Sequence, residues 1–374
     1  MYAAENHIQL LKNNLSNEVW ESGCEWVWQQ IFPLSRDLTG NYSNQTFQTQ
    51  KKWSSINTMD PAYDQYEKAR EFYRTHEYLA WIGEDESDEE TIRSANEEAL
   101  DQSENANSPA NTDSASAKIS DQPMIYPMQQ LMDYDFLMKH FYNVHTSTTA
   151  DRELMNAKNL LSKDLTLEKE DAPQILIYHT HSQESYKNSK KDENVVAVGQ
   201  KLTDLLTEKG WNVYHDTTVY DLAVGKLDRS RAYTYALEGI NEILARYPSI
   251  QVVLDIHRDG VGEDVYLKTE IGGQPSARIM FFNGLSQTPE GPISYLANPF
   301  REDNLAFSLK LQLKAEEYYP GFTRKIYLKG LRYNQHLRAR SALVEVGAQT
   351  NTFEEACNAM MPLAELLDMV LQGK

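Results

Sequence analysis

At 374 residues the chain is long enough for one sizeable core plus accessory segments. Its formal charge of -19 repels a polyanion such as DNA and argues against nucleic acid as a partner, although part of that acidity stands in one solvated run at 84–104. The only cysteines, Cys24 and Cys357, exclude a disulfide framework and a thiolate metal site but leave the compartment open.

Residues 1–82 contain every tryptophan except Trp211. Helical patterns at 7–31 and 60–81 predict a small helical accessory region, with Tyr63, Tyr66, Ala69, Phe72 and Tyr73 recurring at three- and four-residue steps. Packing against one another is the commoner use of such aromatics than a glycan-binding platform. Residues 83–122 turn to Glu, Asp, Ser, Asn and Ala, and Leu100 is the one large aliphatic side chain between 92 and 119. That composition predicts a disordered acidic linker, too poor in apolar surface to offset ordering entropy. Residues 123–172 read as a neck: Met, Tyr and Phe recur at helical spacing over 126–148, followed by an extended piece that braces the next domain. No run of about 18 apolar residues occurs, so neither a membrane span nor a signal peptide is expected in the chain as given. Its Met1-Tyr2 start is compatible with a boundary just after a removed anchor.

Residues 173–374 alternate strand and helix. Gln174-Ile-Leu-Ile-Tyr178 is a strand-length apolar run, after which Val195, Val196, Val198, Leu202, Leu205 and Leu206 mark one helix face ending at Gly210. A short strand is predicted at 212–215. Tyr233, Ala236, Ile240, Ile243 and Leu244 mark a second helix, ahead of a buried strand at 250–256. Further strands are predicted at 278–282, 325–328 and 342–346, a helix at 305–318, and a last helix at 353–370 that Pro362 should kink or interrupt. Gly272-Gly273 reads as a turn, since no helix pattern follows to make it a phosphate cradle. The fold class predicted is α/β, a largely parallel sheet with helices on both faces, and such sheets place their sites at the carboxyl ends of strands.

Three predicted strands end in groups able to hold a metal: His179-Thr-His181-Ser-Gln-Glu184, Asp255-Ile-His257-Arg-Asp259, and Leu343-Val-Glu345-Val-Gly347. Strand alternation would put His179 and His181 on one face and Asp255 and His257 on another, each pair pointing into a common cleft. Imidazole and carboxylate without thiolate suit zinc, with three protein ligands and a water in the fourth position. His181, His257 and a glutamate complete a ligand set, and Glu345, costly to bury unpaired, is left as the base. A lone histidine at a strand end is more often structural, which is the reading favoured for His140, His145, His215 and His336. A Ser182 nucleophile lacks the glycine-flanked elbow of an α/β-hydrolase, and a metal phosphohydrolase would call for more carboxylates.

Several blocks resemble the stage II sporulation protein P family of spore-forming Firmicutes: Gln174-Ile-Leu-Ile-Tyr-His-Thr-His-Ser-Gln-Glu-Ser-Tyr186, Asn194-Val-Val-Ala-Val-Gly199, Asp255-Ile-His-Arg-Asp-Gly260, Ala277-Arg-Ile-Met-Phe281, Arg332-Tyr-Asn-Gln335 and Leu343-Val-Glu-Val-Gly347. The resemblance covers 173–374, and the neck block Tyr126-Pro-Met-Gln-Gln-Leu-Met132 is similar to clostridial members. It implies an amidase-3-like fold and a zinc-dependent N-acetylmuramoyl-L-alanine amidase acting on peptidoglycan, with an accompanying endopeptidase activity on cross-linked stem peptides. It also implies work during engulfment, alongside the lytic transglycosylase SpoIID and the membrane protein SpoIIM, on the outer side of a membrane to which one amino-terminal helix anchors the protein. Carried onto this sequence, it points to His181 and His257 as metal ligands, Glu184 as the third with Glu193 as its rival, and Glu345 as the catalytic glutamate. Arg258, Arg332, Asn334 and Gln335 stand as substrate-binding candidates, with loop-fixing hydrogen bonds as the alternative. A catalytically inactive peptidoglycan-binding module on the same fold is the competing function.

Overall fold

The computed structural model describes residues 124–223, 226–227 and 229–374, so the readings of 1–82 and 83–122 lie outside the described residues. The first described elements are helices α1 (Met128–Leu131) and α2 (Tyr134–Phe141), strand β1 (Tyr142–Val144) and helix α3 (Ala157–Ser162). Asp133 starts α2 by accepting a hydrogen bond from the Phe136 amide, and Asn156 starts α3 in the same way. The segment read as a neck is part of the main sheet: β1 is one edge of it, and Leu137, Phe141, Tyr142 and Leu160 are buried in the principal core.

The remaining sheet strands are β2 (Ile175–Tyr178), β3 (Val213–His215), β4 (Val252–Asp259), β5 (Ile279–Gly284), β6 (Ile326–Lys329) and β7 (Arg340–Ala348). Between them run helices α4 (Val195–Glu208), α5 (Arg229–Arg246) and α6 (Arg301–Tyr318), and α7 (Phe353–Asn358) and α8 (Met360–Leu371) close the chain. The seven strands lie in the order β1-β6-β5-β7-β4-β2-β3. Every neighbouring pair is parallel except β5 and β7, which run antiparallel. That seam opposes two parallel blocks, so the carboxyl ends of β5 and β6 lie at the opposite end of the sheet from those of β2 and β4.

Side-chain alternation gives the sheet two buried faces. Ile175, Ile177, Val252, Leu254, Ile256, Val344 and Val346 join α4, α6 and α8 in one core. Leu176, Tyr178 and Val253 pack instead with Ala236, Ile240 and Leu244 of α5. The predicted layering of helices on both faces is therefore present, and the α5 face is the one that carries the candidate site.

Helix breaks follow the residues that dictate them. Thr352 caps α7 with a full capping box: its side chain accepts from the Glu355 amide while the Glu355 side chain accepts from the Thr352 amide. The expected interruption of the last helix falls at Ala359, and Pro362 sits in the first turn of α8, where a missing amide hydrogen costs no intrahelical bond. Gly272 and Gly273 both take positive φ, 57° and 78°, and turn a two-stranded ribbon of Lys268–Ile271 with Gln274–Ala277. Among the described residues no helix is long and apolar enough to cross a membrane.

Helix α4 sits close on β2 because Gly199 has no side chain: a Cβ there would lie 2.5 Å from His179 Cε1. Gly199→Ala should therefore overpack the seam and lower the unfolding free energy by about 1–3 kcal/mol. Denaturant unfolding checks this, and a change within a few tenths of a kcal/mol would show that the seam has slack.

Candidate metal centre

On β4, alternation turns both Asp255 and His257 toward the α5 face. On β7, Glu345 is in register with His257, so it projects from the same face one strand away. The shared face expected of His179 and His181 is not what forms. His179 continues the alternation of β2 onto the other face, under Gly199, and the chain then turns across the strand end before His181. There the His179 Nδ1–H donates to the Ile256 carbonyl (2.9 Å), and its Nε2 faces the Nε2 of His215 at 2.9 Å. Burial, opposed by that carbonyl bond, drives His179 down to about 3 and keeps it neutral. Its work is structural.

The turn carrying His181 is held on both sides by buried carboxylates. Asp255 accepts the Thr180 amide (2.9 Å) and hydroxyl (2.6 Å). Asp221, fully buried, accepts the Ser182 hydroxyl (2.7 Å) and the Gln183 amide (3.1 Å). Between these clamps His181 stands 5.0 Å, ring to ring, from His257. Ser182 spends its hydroxyl on Asp221 and is no nucleophile in this arrangement.

Glu184, 3% exposed, completes the group. Its Oε1 lies 3.6 Å from His181 Nδ1 and its Oε2 lies 3.5 Å from His257 Nδ1. One ligand atom from each of the three residues falls within 4.8 Å of the others. Oε2 also accepts the Arg258 amide at 3.0 Å. Burial alone would raise the Glu184 carboxyl, but the hydrogen bonds and charge of the two histidines outweigh it and hold it well below the usual range. Glu193, the rival, pairs with Lys190 at 2.9 Å outside this group.

Three polar atoms at the centre are sealed from solvent without a hydrogen bond: Nε2 of His181, Nε2 of His257 and Oε2 of Glu345. The His257 Nε2 does lie 2.8 Å from Asp255 Oδ1, an ion-pair distance without hydrogen-bond alignment. Glu345 is partly exposed as a residue, yet burial of its carboxyl, with Asp259 and Glu184 adding their charge and His257 opposing, pushes it up to about 8. The two imidazoles and the Glu184 carboxylate form a nitrogen and oxygen donor group of the kind able to hold a divalent cation.

The other candidates are placed differently. Arg258 donates from Nε to the Ser185 carbonyl and from Nη1 to the Asp259 carbonyl, fixing the loop. Gln335 accepts the Gly284 amide and donates to the Phe282 carbonyl, Asn334 donates to the Tyr233 carbonyl, and Arg332 donates to the Ala297 carbonyl. Their loop reaches the centre through Tyr333, whose ring meets Tyr233 edge-on at 5.5 Å. Tyr233 in turn lies parallel to His257 at 6.4 Å and edge-on to His181 at 5.5 Å. Sequence reasoning used Tyr233 only as a helix marker and missed Asp221, which sits in no motif.

A family model for stage II sporulation protein P matches residues 43–368. The stage II sporulation protein P of Bacillus subtilis (strain 168) is 28% identical over 214 residues, 52% of this chain and 50% of that one, so the chain spans about half the length of this curated relative. Among solved structures, the apo form of the N-acetylmuramyl-L-alanine amidase Ami1 from Mycobacterium abscessus overlaps at a TM-score of 0.28 and 15% identity, over 54% of this chain and 97% of that one. A conserved protein of unknown function, AF0625, overlaps at 0.31 and 13%, over 55% and 65%. Overlaps this partial carry no functional information.

The clamp on the His181 turn is testable apart from any activity. Asp221→Asn keeps the shape but weakens one acceptor, and changes in groups that orient ligands typically cost about 10–100-fold in metal affinity. Chelator competition should show a loss of that size at a temperature where the variant stays folded. Unchanged zinc affinity would reduce Asp221 to a fold-stabilising carboxylate.

Proposed function

Because the chain belongs to the stage II sporulation protein P family, we propose that it is a zinc-dependent peptidoglycan hydrolase that cuts the amide between the muramoyl lactyl group and L-alanine, with endopeptidase action on cross-linked stem peptides. The observation that carries this reading is the convergence of His181, Glu184 and His257 with Glu345 in register beside them.

In this reading His181, Glu184 and His257 hold the ion. Zinc at that position supplies Lewis acidity that polarises an amide carbonyl and makes water more acidic. Glu345 takes a proton from the attacking water and passes it to the departing amine nitrogen. Burial and the charges of Asp259 and Glu184 push the Glu345 carboxyl up, and a dication held beside it would oppose that rise and favour the proton-accepting form. The turn carrying His181 is kept in place by Asp255 and Asp221, and the Tyr233 ring stands beside both histidines. The substrate is peptidoglycan at the septum or engulfing membrane during sporulation, the protein acts outside the cytoplasm, and its partners are SpoIID and SpoIIM. The grouping of His181, Glu184 and His257, with Glu345 in register beside His257, supports this reading over a catalytically inactive binding module. Mass spectrometry of digested sacculi should find free stem peptides and unsubstituted glycan strands. Intact muropeptides after incubation with the zinc-loaded protein would favour the binding module.

Glu345→Gln keeps the shape and removes the base, so stem-peptide release should fall by about a hundred- to ten-thousand-fold. Zinc content and sacculus binding should persist on the same preparation. Zinc lost together with turnover would make Glu345 a ligand, and near-normal turnover would remove it from the mechanism.

A further inference from the structure

The side chain of Arg229, first residue of α5, is 41% exposed while one of its nitrogens lies 3.4 Å from Oε1 of Glu184, whose side chain is 3% exposed. It therefore reaches from solvent to the floor of the centre. Tyr233, one turn along the same helix, has its ring 5.5 Å from that of His181 and 6.4 Å from that of His257, so the start of α5 presents a cation and a ring to the centre on one stripe. The other arginines close by are spent elsewhere: Arg258 on the Ser185 and Asp259 carbonyls, and Arg324 on the Asp259 carboxylate at 2.5 Å.

A guanidinium has five N–H donors, and among the described residues Arg229 meets Glu184 through one nitrogen. A dication at Glu184 would also weaken the attraction of that oxygen for a second positive group, freeing donors at the exposed mouth. The chain as a whole is strongly acidic, so an exposed guanidinium beside the centre gives an anionic peptide a local attraction against the long-range field.

We propose that Arg229 is a specificity-determining residue that binds a free carboxylate of the leaving peptide, namely the α-carboxylate of the acidic residue joined to the stem alanine. The proposal rests on the hydrolase reading above. It makes the enzyme discriminate between stem peptides whose D-glutamate carboxylate is free and those in which it is amidated.

The test uses the zinc-loaded full chain, wild type against Arg229→Gln and Arg229→Lys, on muropeptides that differ only in that amidation. Zinc content is measured on each preparation, and calorimetry follows binding of the two released peptides. Loss of a hydrogen bond to a charged group corresponds to on the order of ten- to a hundred-fold. Wild type should favour the free carboxylate by that factor in kcat/KM, mainly through KM, and in peptide binding. Arg229→Gln should bring both ratios toward one, with Arg229→Lys between. A wild-type ratio near one, or a ratio that the substitution leaves unchanged, overturns the proposal and leaves Arg229 as a partner of Glu184 only. If neither muropeptide is cut while the two peptides still bind with the expected difference, the hydrolase reading falls and the carboxylate site stands.

Discussion

The burial of Glu184 is the constraint on which the centre depends. A carboxylate with 3% exposure is tolerable only if its neighbours compensate it, and the compensating groups here come from three separate parts of the chain. His181 arrives from the turn after β2, His257 and the Arg258 amide from β4, and Arg229 from the start of α5. Because β2 and β4 are adjacent parallel strands, the turn after one and the end of the other meet without a long excursion. The sheet order thus does the gathering, and two further buried carboxylates, Asp221 and Asp255, keep the gathered turn in place.

Much of this arrangement was legible in the sequence, for a physical reason. Buried parallel strands read as apolar runs, so β2, β4 and β7 stand out, and polar groups at or near their ends are conspicuous against that background. What one sequence lacks is the partner of each strand. The antiparallel seam between β5 and β7 leaves no local trace, and it is why the loop of Arg332, Asn334 and Gln335, which follows β6, meets the centre only through Tyr333 against Tyr233. His179 illustrates the same limit on a smaller scale. Period-two alternation holds only while the chain remains a strand, and the turn beginning at Thr180 breaks it between the two histidines. Asp221 was invisible because a single aspartate becomes informative only when its partners are known. Arg229 leaves a trace in the sequence, since it stands four residues before Tyr233 at the start of a helix whose apolar stripe the periodicity marks.

The zinc hydrolase reading joins two independent lines. Family membership comes from the length of chain matched, and the ligand geometry comes from the fold. Neither line names the metal, so the direct test of the central claim is zinc-edge X-ray absorption on the loaded full chain. The account predicts two imidazole nitrogens and carboxylate or water oxygens at about 2.0–2.2 Å, with one imidazole lost in His181→Ala. A shell without imidazole, or one that His181→Ala leaves intact, would contradict it.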